Sequence, residues 1–406
     1  VTLSALTYKL TLAAAPAEVS RAFTHATALR DWLCHAAQTE PRVGGRFYAY
    51  WSADYYVSGQ YTALAPGNKI AFTWHGATDP APSTVQVVIK PAAKGTSLTL
   101  THKNLGAGRK WAATLKAMDA GWRDALENLP SVLDHGIDLR IARLPRLGIF
   151  LEAFDAEVAA SLGLPIKTGL RLAGVVDGLA AHKAGLQKED VLVKMGAVAL
   201  TSFDSLGRAL AGKRAGDQLP LVYYRGPRKH TVTLELSARA PLPPLPDTAA
   251  ALADLARQNY TAVQAEFKRH CAKLTDAEAE HRPAPNEWNL KELIAHFIAC
   301  ERDLQSWLAD MLNDNTVGDS LEFRPNVTPR LAAIVARYPT LPILQRELRE
   351  ACAETTRLLE TLPPEFLARK PLLRRVFWWI SEVVPAHFSG EHSDQWQKTL
   401  AAARQT

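Results

Sequence analysis

Residues able to bind a metal, carry a proton or attack a carbonyl are thinly spread in this 406-residue chain, which holds 12 histidines and 4 cysteines. His25, His35, His75 and His102 show no ligand spacing and read as surface or hydrogen-bonded side chains. No Gly-x-Ser-x-Gly or comparable nucleophile context occurs. Further histidines and a cysteine lie in the last third. His296 falls in an apolar, helical run, and Cys300 follows it by one turn. Taken alone, a histidine on such a face reads as a hydrogen-bonded core residue, and Cys300 as a packed thiol. His387, Glu391 and His392 come much later. Residues five apart on a regular helix point roughly 140° away from each other, so His387 and His392 cannot easily face one ion. Glu391 stands four after His387, the spacing that places two ligands on one face, and a bulge near Gly390 would also bring the histidines together.

The elements that must position these groups fall into successive blocks. A hydrophobic fraction of 47% and a charged fraction of 22% are those of a soluble globular protein with room for about two to four domains. The net charge of +6 is mild, and the basic group Arg225–His230 reads as a solvated hairpin tip, so no nucleic-acid partner is expected. No apolar run approaches a membrane span, and the first residues lack a basic-then-apolar signal. Cys34, Cys271, Cys300 and Cys352 form no CxxC pair and read as reduced thiols, which points to the cytoplasm.

Residues 1–140 alternate apolar and polar in short strands, among them Gly45–Trp51, Tyr56–Tyr61, Lys69–Trp74, Val85–Ile89 and Ser97–Thr101. A long helix follows, with Trp111, Leu115, Met118, Trp122, Leu126 and Leu129 on one stripe. One helix gripped by a curved sheet is the expected arrangement. By strand parity Phe47, Trp51, Phe72 and Trp74 share an inner face, where they either fill a core or line a cavity. The Ala-Pro-Ala-Glu-Val opening, Trp32, Val43-Gly44-Gly45-Arg46-Phe47, Phe72-Thr73-Trp74, Gly95-Thr96 and Gly121-Trp122 resemble the activator-of-heat-shock-protein-ATPase homologue family of the START-like (SRPBCC) superfamily. The resemblance implies a helix-grip fold and a small apolar ligand, with Trp32, Phe47, Trp51, Phe72, Trp74 and Trp122 around it.

Residues 141–240 carry Arg146-Leu147-Gly148-Ile149-Phe150-Leu151, then Leu170–Val176, Ala181–Asp190 and Val191–Gly196. This order is similar to the PDZ domains of HtrA-type bacterial proteins. The resemblance implies that amides around Arg146, Leu147, Gly148 and Ile149 hold the carboxylate of a peptide or protein C-terminus, which adds as a strand beside Ile149–Ala153. Ser202–Leu210 is the implied groove helix, capped by Thr201 or Ser202, with Leu206 and Leu210 as pocket floor. Arg146 stands where the relatives commonly have an aromatic residue, and a cation there favours a carboxylate. Gly207 costs that helix about 1 kcal/mol relative to alanine. A PDZ fold used only as spacer or docking face is the plain alternative.

Residues 241–246 are a proline-rich, semi-rigid linker. Beyond it, residues 247–406 read as four helices at 247–273, 289–313, 343–362 and 374–404, with a long crossover at 314–342 that includes a short helix at Leu331–Arg337. The run Asn286-Glu287-Trp288-Asn289 through His296-Phe297 resembles the DinB superfamily, as does the His387–Trp396 region. In metal-binding members three histidines hold a divalent ion in the bundle core, which implies His296 with His387, Glu391 or His392 around zinc or nickel. The chain departs from the pattern at Phe388, which takes the first histidine position of the last helix when Gln395 is placed on the family glutamine.

The fold class is thus multidomain α+β: helix-grip, PDZ and four-helix bundle. The preferred function is a non-enzymatic binding protein that takes an apolar small ligand and a peptide tail. A metal-dependent DinB-type enzyme of thiol transfer or hydrolysis is the rival, and a co-chaperone-like regulator a third reading. Ligand, partner and oligomeric state are not legible.

Overall fold

The computed structural model describes residues 4–52, 54–315, 327–388 and 392–404. They form a multidomain α+β protein with two compact units, one of residues 1–137 together with 244–406, the other of residues 138–243.

The first unit opens on an antiparallel sheet whose strands are β1 (Ser4–Leu12), β2 (Ala36–Thr39), β3 (Arg46–Ser52), β4 (Tyr55–Ala65), β5 (Lys69–Gly76), β6 (Ser83–Ala92) and β7 (Gly95–Leu105). Their order is β1-β7-β6-β5-β4-β3-β2. Two short helices, α1 (Pro16–Thr24) and α2 (Ala26–Trp32), link β1 to β2, and the long α3 (Arg109–His135) follows β7. The period-two pattern turns Phe47, Ala49, Val57, Tyr61, Phe72 and Trp74 inward. The α3 stripe Trp111, Met118, Trp122, Leu126 and Leu129 is buried with them in one core. Gly136 ends α3 in left-handed geometry at φ +67°, and a Cβ there would lie 2.4 Å from the Lys370 carbonyl oxygen, so only glycine permits that approach.

The helical domain of the same unit consists of α8 (Ala249–Cys271), α9 (Leu290–Leu312), α10 (Val327–Arg337), α11 (Leu341–Glu360), α12 (Pro364–Ala368), α13 (Lys370–Trp378), α14 (Val384–Ala386) and α15 (Ser393–Ala403). The numbers α4 to α7 belong to the middle unit below. Residues 316–326 of the expected crossover lie outside the described residues. A single helix over 374–404 is corrected: α13 runs into a π-helical turn, Trp379–Val383, then α14, and α15 begins afresh at Ser393. Pro385 supplies the reason, since it has no N–H for the carbonyl of Ser381 and its ring crowds that turn.

Within this unit α13 packs on α3. Arg375 donates to Asp31 Oδ1 at 2.6 Å, and Arg374 to the carbonyl of His135 at 2.8 Å. Arg21 donates through Nε to Asp314 Oδ2 at 2.9 Å, and Thr27 to Asp314 Oδ1 at 3.1 Å. These contacts dock the first and last domains, and no residue pattern announces them.

The middle unit holds α4 (Leu139–Ala142), β8 (Ile149–Glu152), α5 (Ala156–Ser161), β9 (Leu170–Val175), α6 (Ala180–Lys183), β10 (Val191–Met195), β11 (Val198–Ala199), α7 (Phe203–Leu210), β12 (Gln218–Arg225) and β13 (Arg228–Glu235). The sheet order is β13-β12-β10-β9-β8, with β11 on β10, so β8 is an edge.

Inside the first domain His102 is fully buried. Trp122 Nε1 donates to its Nδ1 at 3.0 Å, which places the ring proton on Nε2, 2.7 Å from Ser83 Oγ. Burial lowers its pKa from 6.5 to about 4. The neutral ring therefore contributes stability that is complete above the unfolded value and is lost as the pH falls toward the folded one. Denaturant unfolding of wild type and His102→Gln at pH 7 and pH 4 should show the wild-type advantage shrinking by about 3 kcal/mol. A pH-independent difference would refute this account.

Candidate metal centre and peptide groove

The start of α9 is set by a capping box in which Asn289 Oδ1 accepts from the Glu292 N–H at 2.9 Å and Glu292 Oε2 accepts from the Asn289 N–H at 3.0 Å. That fixes which way the helix faces. Seven residues after the cap His296 points into the bundle, and Cys300, four further on, shares its face. The broken last segment brings His387 against them. Nε2 of His296 and Nε2 of His387 are 3.2 Å apart, and Cys300 Sγ lies 3.7 Å from the first and 3.6 Å from the second. All three side chains are buried.

This triangle could hold a metal ion, each residue offering one donor atom within 4.8 Å of the others. A tetrahedral ion with bonds of about 2.05 Å to nitrogen and about 2.3 Å to sulfur separates two nitrogens by roughly 3.3 Å and a nitrogen from a sulfur by roughly 3.6 Å. The observed edges fit those values.

His392 is the fourth ring of the cluster. Its centroid is 4.6 Å from that of His387 and 5.0 Å from that of His296. Its Nδ1 meets Gln395 Oε1 at 2.8 Å, and a proton on Nδ1 leaves the lone pair on Nε2. The expectation that His387 and His392 diverge assumed one regular helix. The interruption removes that assumption, since His392 is the N-cap of α15 and not a continuation of α14. Glu391 lies outside the described residues. Phe388, in the place the resemblance gives to a histidine, stacks on Phe297 with centroids 4.2 Å apart.

Burial, then the neighbouring His387, His392 and Arg330, push the His296 pKa down to about 3, which keeps the ring neutral with a lone pair to give. Burial pushes the Cys300 thiol far up. The next residue, Glu301, is also buried. Its Oε2 accepts from Tyr260 Oη and Thr355 Oγ1, both at 2.8 Å, and burial raises its pKa to about 7. Sequence reasoning left Cys300 as a packed thiol and did not single out Glu301. The four-residue step from His296 was the available signal for Cys300, whereas Glu301 meets its partners only through the packing of α8, α9 and α11.

In the first domain the six aromatic candidates pack against core neighbours. Phe47 stacks on Phe72 at 4.1 Å between centroids, Trp74 lies 5.9 Å from Trp51 and 5.3 Å from Trp122, and Trp32 meets Phe23 edge-on at 5.1 Å. Trp51 is the partly exposed member, and its Nε1 donates to the Leu33 carbonyl at 2.6 Å. A separate surface groove of about 680 Å³ is lined by α1 and the turns at 41–43 and 64–67, and by none of the six.

In the middle unit Leu147, Leu206, Ile149 and Leu210 belong to one apolar cluster. Ser202 caps α7, its Oγ accepting from the Ser205 N–H at 3.4 Å. The carbonyls of Leu147 and Gly148 accept from Ala181 and Val176 at 2.8 and 2.9 Å, which fixes the loop before β8. Arg146 is exposed beside it.

Three family models match consecutive parts of the chain: activator of Hsp90 ATPase homolog 1-like protein over residues 13–134, PDZ domain over 145–236, and DinB superfamily over 259–387. The chain carries these three domains in this order. Among curated proteins it is similar to the serine protease Do-like HtrA of Lactococcus lactis, 34% identical over 105 residues that make up 25% of this chain and 26% of that protein. It is also similar to a probable periplasmic serine protease do/HhoA-like of Haemophilus influenzae, 29% identical over 23% of this chain and 20% of that protein. The chain thus spans about a quarter or less of the length of these relatives. The solution structure of the Aha1 dimer from Colwellia psychrerythraea is 16% identical, covering 33% of this chain and 98% of that one at a TM-score of 0.30. No helix among the described residues is long and apolar enough to cross a membrane.

Gly148 gives the PDZ loop its shape. Its φ is +73°, and a Cβ there would lie 2.5 Å from Leu179 Cβ. Gly148→Ala should therefore destabilise the PDZ domain by about 2 kcal/mol, combining left-handed strain with the clash, as read from its denaturant midpoint. An unchanged midpoint would count against the loop geometry.

Proposed function

We propose that the chain is a multidomain binding protein whose helical domain holds a divalent metal, zinc or nickel, and whose PDZ domain takes the C-terminal tail of a peptide or protein. The observation that carries the metal reading is the convergence of His296 and His387, with Nε2 atoms 3.2 Å apart, inside an apolar bundle with His392 alongside. When bound, the ion would supply positive charge and a Lewis-acidic centre. The protein's part is to hold neutral rings in place and keep water out, with Phe297, Phe388 and Trp288 packed around them.

The peptide reading is supported by the open edge of β8, the glycine loop before it and the exposed cation Arg146. An added strand would hydrogen-bond to that edge, with Leu206 and Leu210 beneath its last side chain. For the first domain an apolar small ligand is the natural occupant of a ring-lined interior. Since the rings already touch one another, such a ligand would have to displace Trp51, the partly exposed member.

Elemental analysis tests the metal. Protein purified without chelator from medium supplied with zinc and nickel should carry roughly one equivalent, and His296→Ala or His387→Ala less than about a tenth. Wild type at that lower level would sink the reading. For the peptide, fluorescence anisotropy should find that C-terminal peptides with a free carboxylate bind the full chain at least about tenfold more tightly than their amidated forms, with Arg146→Glu narrowing the gap. Equal affinity for the two forms would exclude this groove as a carboxylate site.

A further inference from the structure

We propose that Cys300 supplies a thiolate sulfur to the metal centre of the helical domain, making it a mixed nitrogen–sulfur site for a borderline-soft divalent ion. The inference rests on the metal reading above and adds to it the identity of one ligand atom.

Three observations carry it. First, the sulfur is nearly equidistant from the two ring nitrogens, at 3.7 and 3.6 Å, while those nitrogens are 3.2 Å apart. The sulfur also lies 3.9 Å from Nδ1 of His296, so it runs alongside that ring while reaching Nε2 of both histidines. Second, the sulfur–nitrogen edges are longer than the nitrogen–nitrogen edge by about the amount that the longer metal–sulfur bond demands. Third, His296 and Cys300 are one helical turn apart on α9, so a single rigid element presents both donors, and the capping box at Asn289 sets their rotation.

On loading, the Cys300 S–H bond breaks, its proton passes to solvent, and the sulfur lone pair forms the bond to the ion, with no change of oxidation state. A soft thiolate beside imidazole nitrogens favours ions of the zinc type over the hard, oxygen-seeking magnesium and calcium. His392, with Gln395 on its far nitrogen, is the neighbour placed to complete four-coordination.

Cobalt(II) is the probe, because its spectrum reports both geometry and sulfur ligation. Full-length protein stripped with chelator and refilled with Co(II) should show the visible bands of a tetrahedral ion and a near-ultraviolet sulfur-to-cobalt charge-transfer band. Cys300→Ser should abolish the charge-transfer band and weaken Co(II) binding by more than the ~10–100-fold that loss of a residue supporting a ligand costs. Cys271→Ser and Cys352→Ser should leave the band unchanged. Wild-type protein that binds Co(II) without any charge-transfer band, or a band that survives Cys300→Ser, overturns the thiolate and leaves the metal reading standing. Wild type that takes up no Co(II) overturns both.

Discussion

The arrangement of the helical domain depends on a helix that does not run straight. Had residues 374–404 formed one regular helix, His387 and His392 would point well apart, and only one could meet α9. Pro385 cannot donate to the carbonyl four residues earlier, and the chain answers with a π-helical turn at Trp379–Val383 and a new helix from Ser393. The extra residue in that turn changes the phase of everything after it. That phase change lets His387 reach within 3.2 Å of His296 while Phe388 stacks on Phe297.

The same segment is tied at its other end to the first domain. Helix α13, which leads into the π turn, lies on α3, and Arg375 and Arg374 donate to Asp31 and to the carbonyl of His135. Beside the start of α13, Asp314, just past α9, accepts from Arg21 and Thr27 and lies 3.8 Å from Arg369. Helix α9, which carries His296 and Cys300, and the segment that leads to His387 are therefore both anchored on the first domain, one through Asp314 and one through α13. These ion pairs are partly buried and accompanied by hydrogen bonds to backbone and hydroxyl groups, so geometry, more than net Coulomb energy, is what they contribute. A consequence is that the His296, Cys300 and His387 group and the helix-grip domain are parts of one compact unit, although the PDZ domain separates them in the chain.

Much of this was legible from residue patterns. Alternation at Phe47 and Ala49, or at Phe72 and Trp74, places strands because a sheet with one covered face must repeat every two residues, and the α3 stripe repeats at three and four for the matching reason. The cap at Asn289 and the histidine seven residues on were readable for the same cause, since both are local. What was not legible depends on packing or on a break in periodicity. Cys300 looked like a core thiol because apolar surroundings suit a thiol whether or not it has a second task. Glu301 drew no separate reading, and only tertiary packing shows Tyr260 and Thr355 donating to it. The direction of His387, a candidate from the sequence, was not legible because it depends on a π turn near Pro385. Domain docking left no trace, because arginines and aspartates in ion pairs between domains have the same composition as those on an open surface.

The composition of the cluster bears on why it persists. Two imidazole nitrogens that face each other at 3.2 Å can share only one proton, and Cys300 Sγ lies within 3.7 Å of both. An apolar triad of the same volume would stabilise the bundle more simply. A proton between the two nitrogens spans only that edge, whereas the His296, Cys300 and His387 donors lie close enough together that one cation could meet all three.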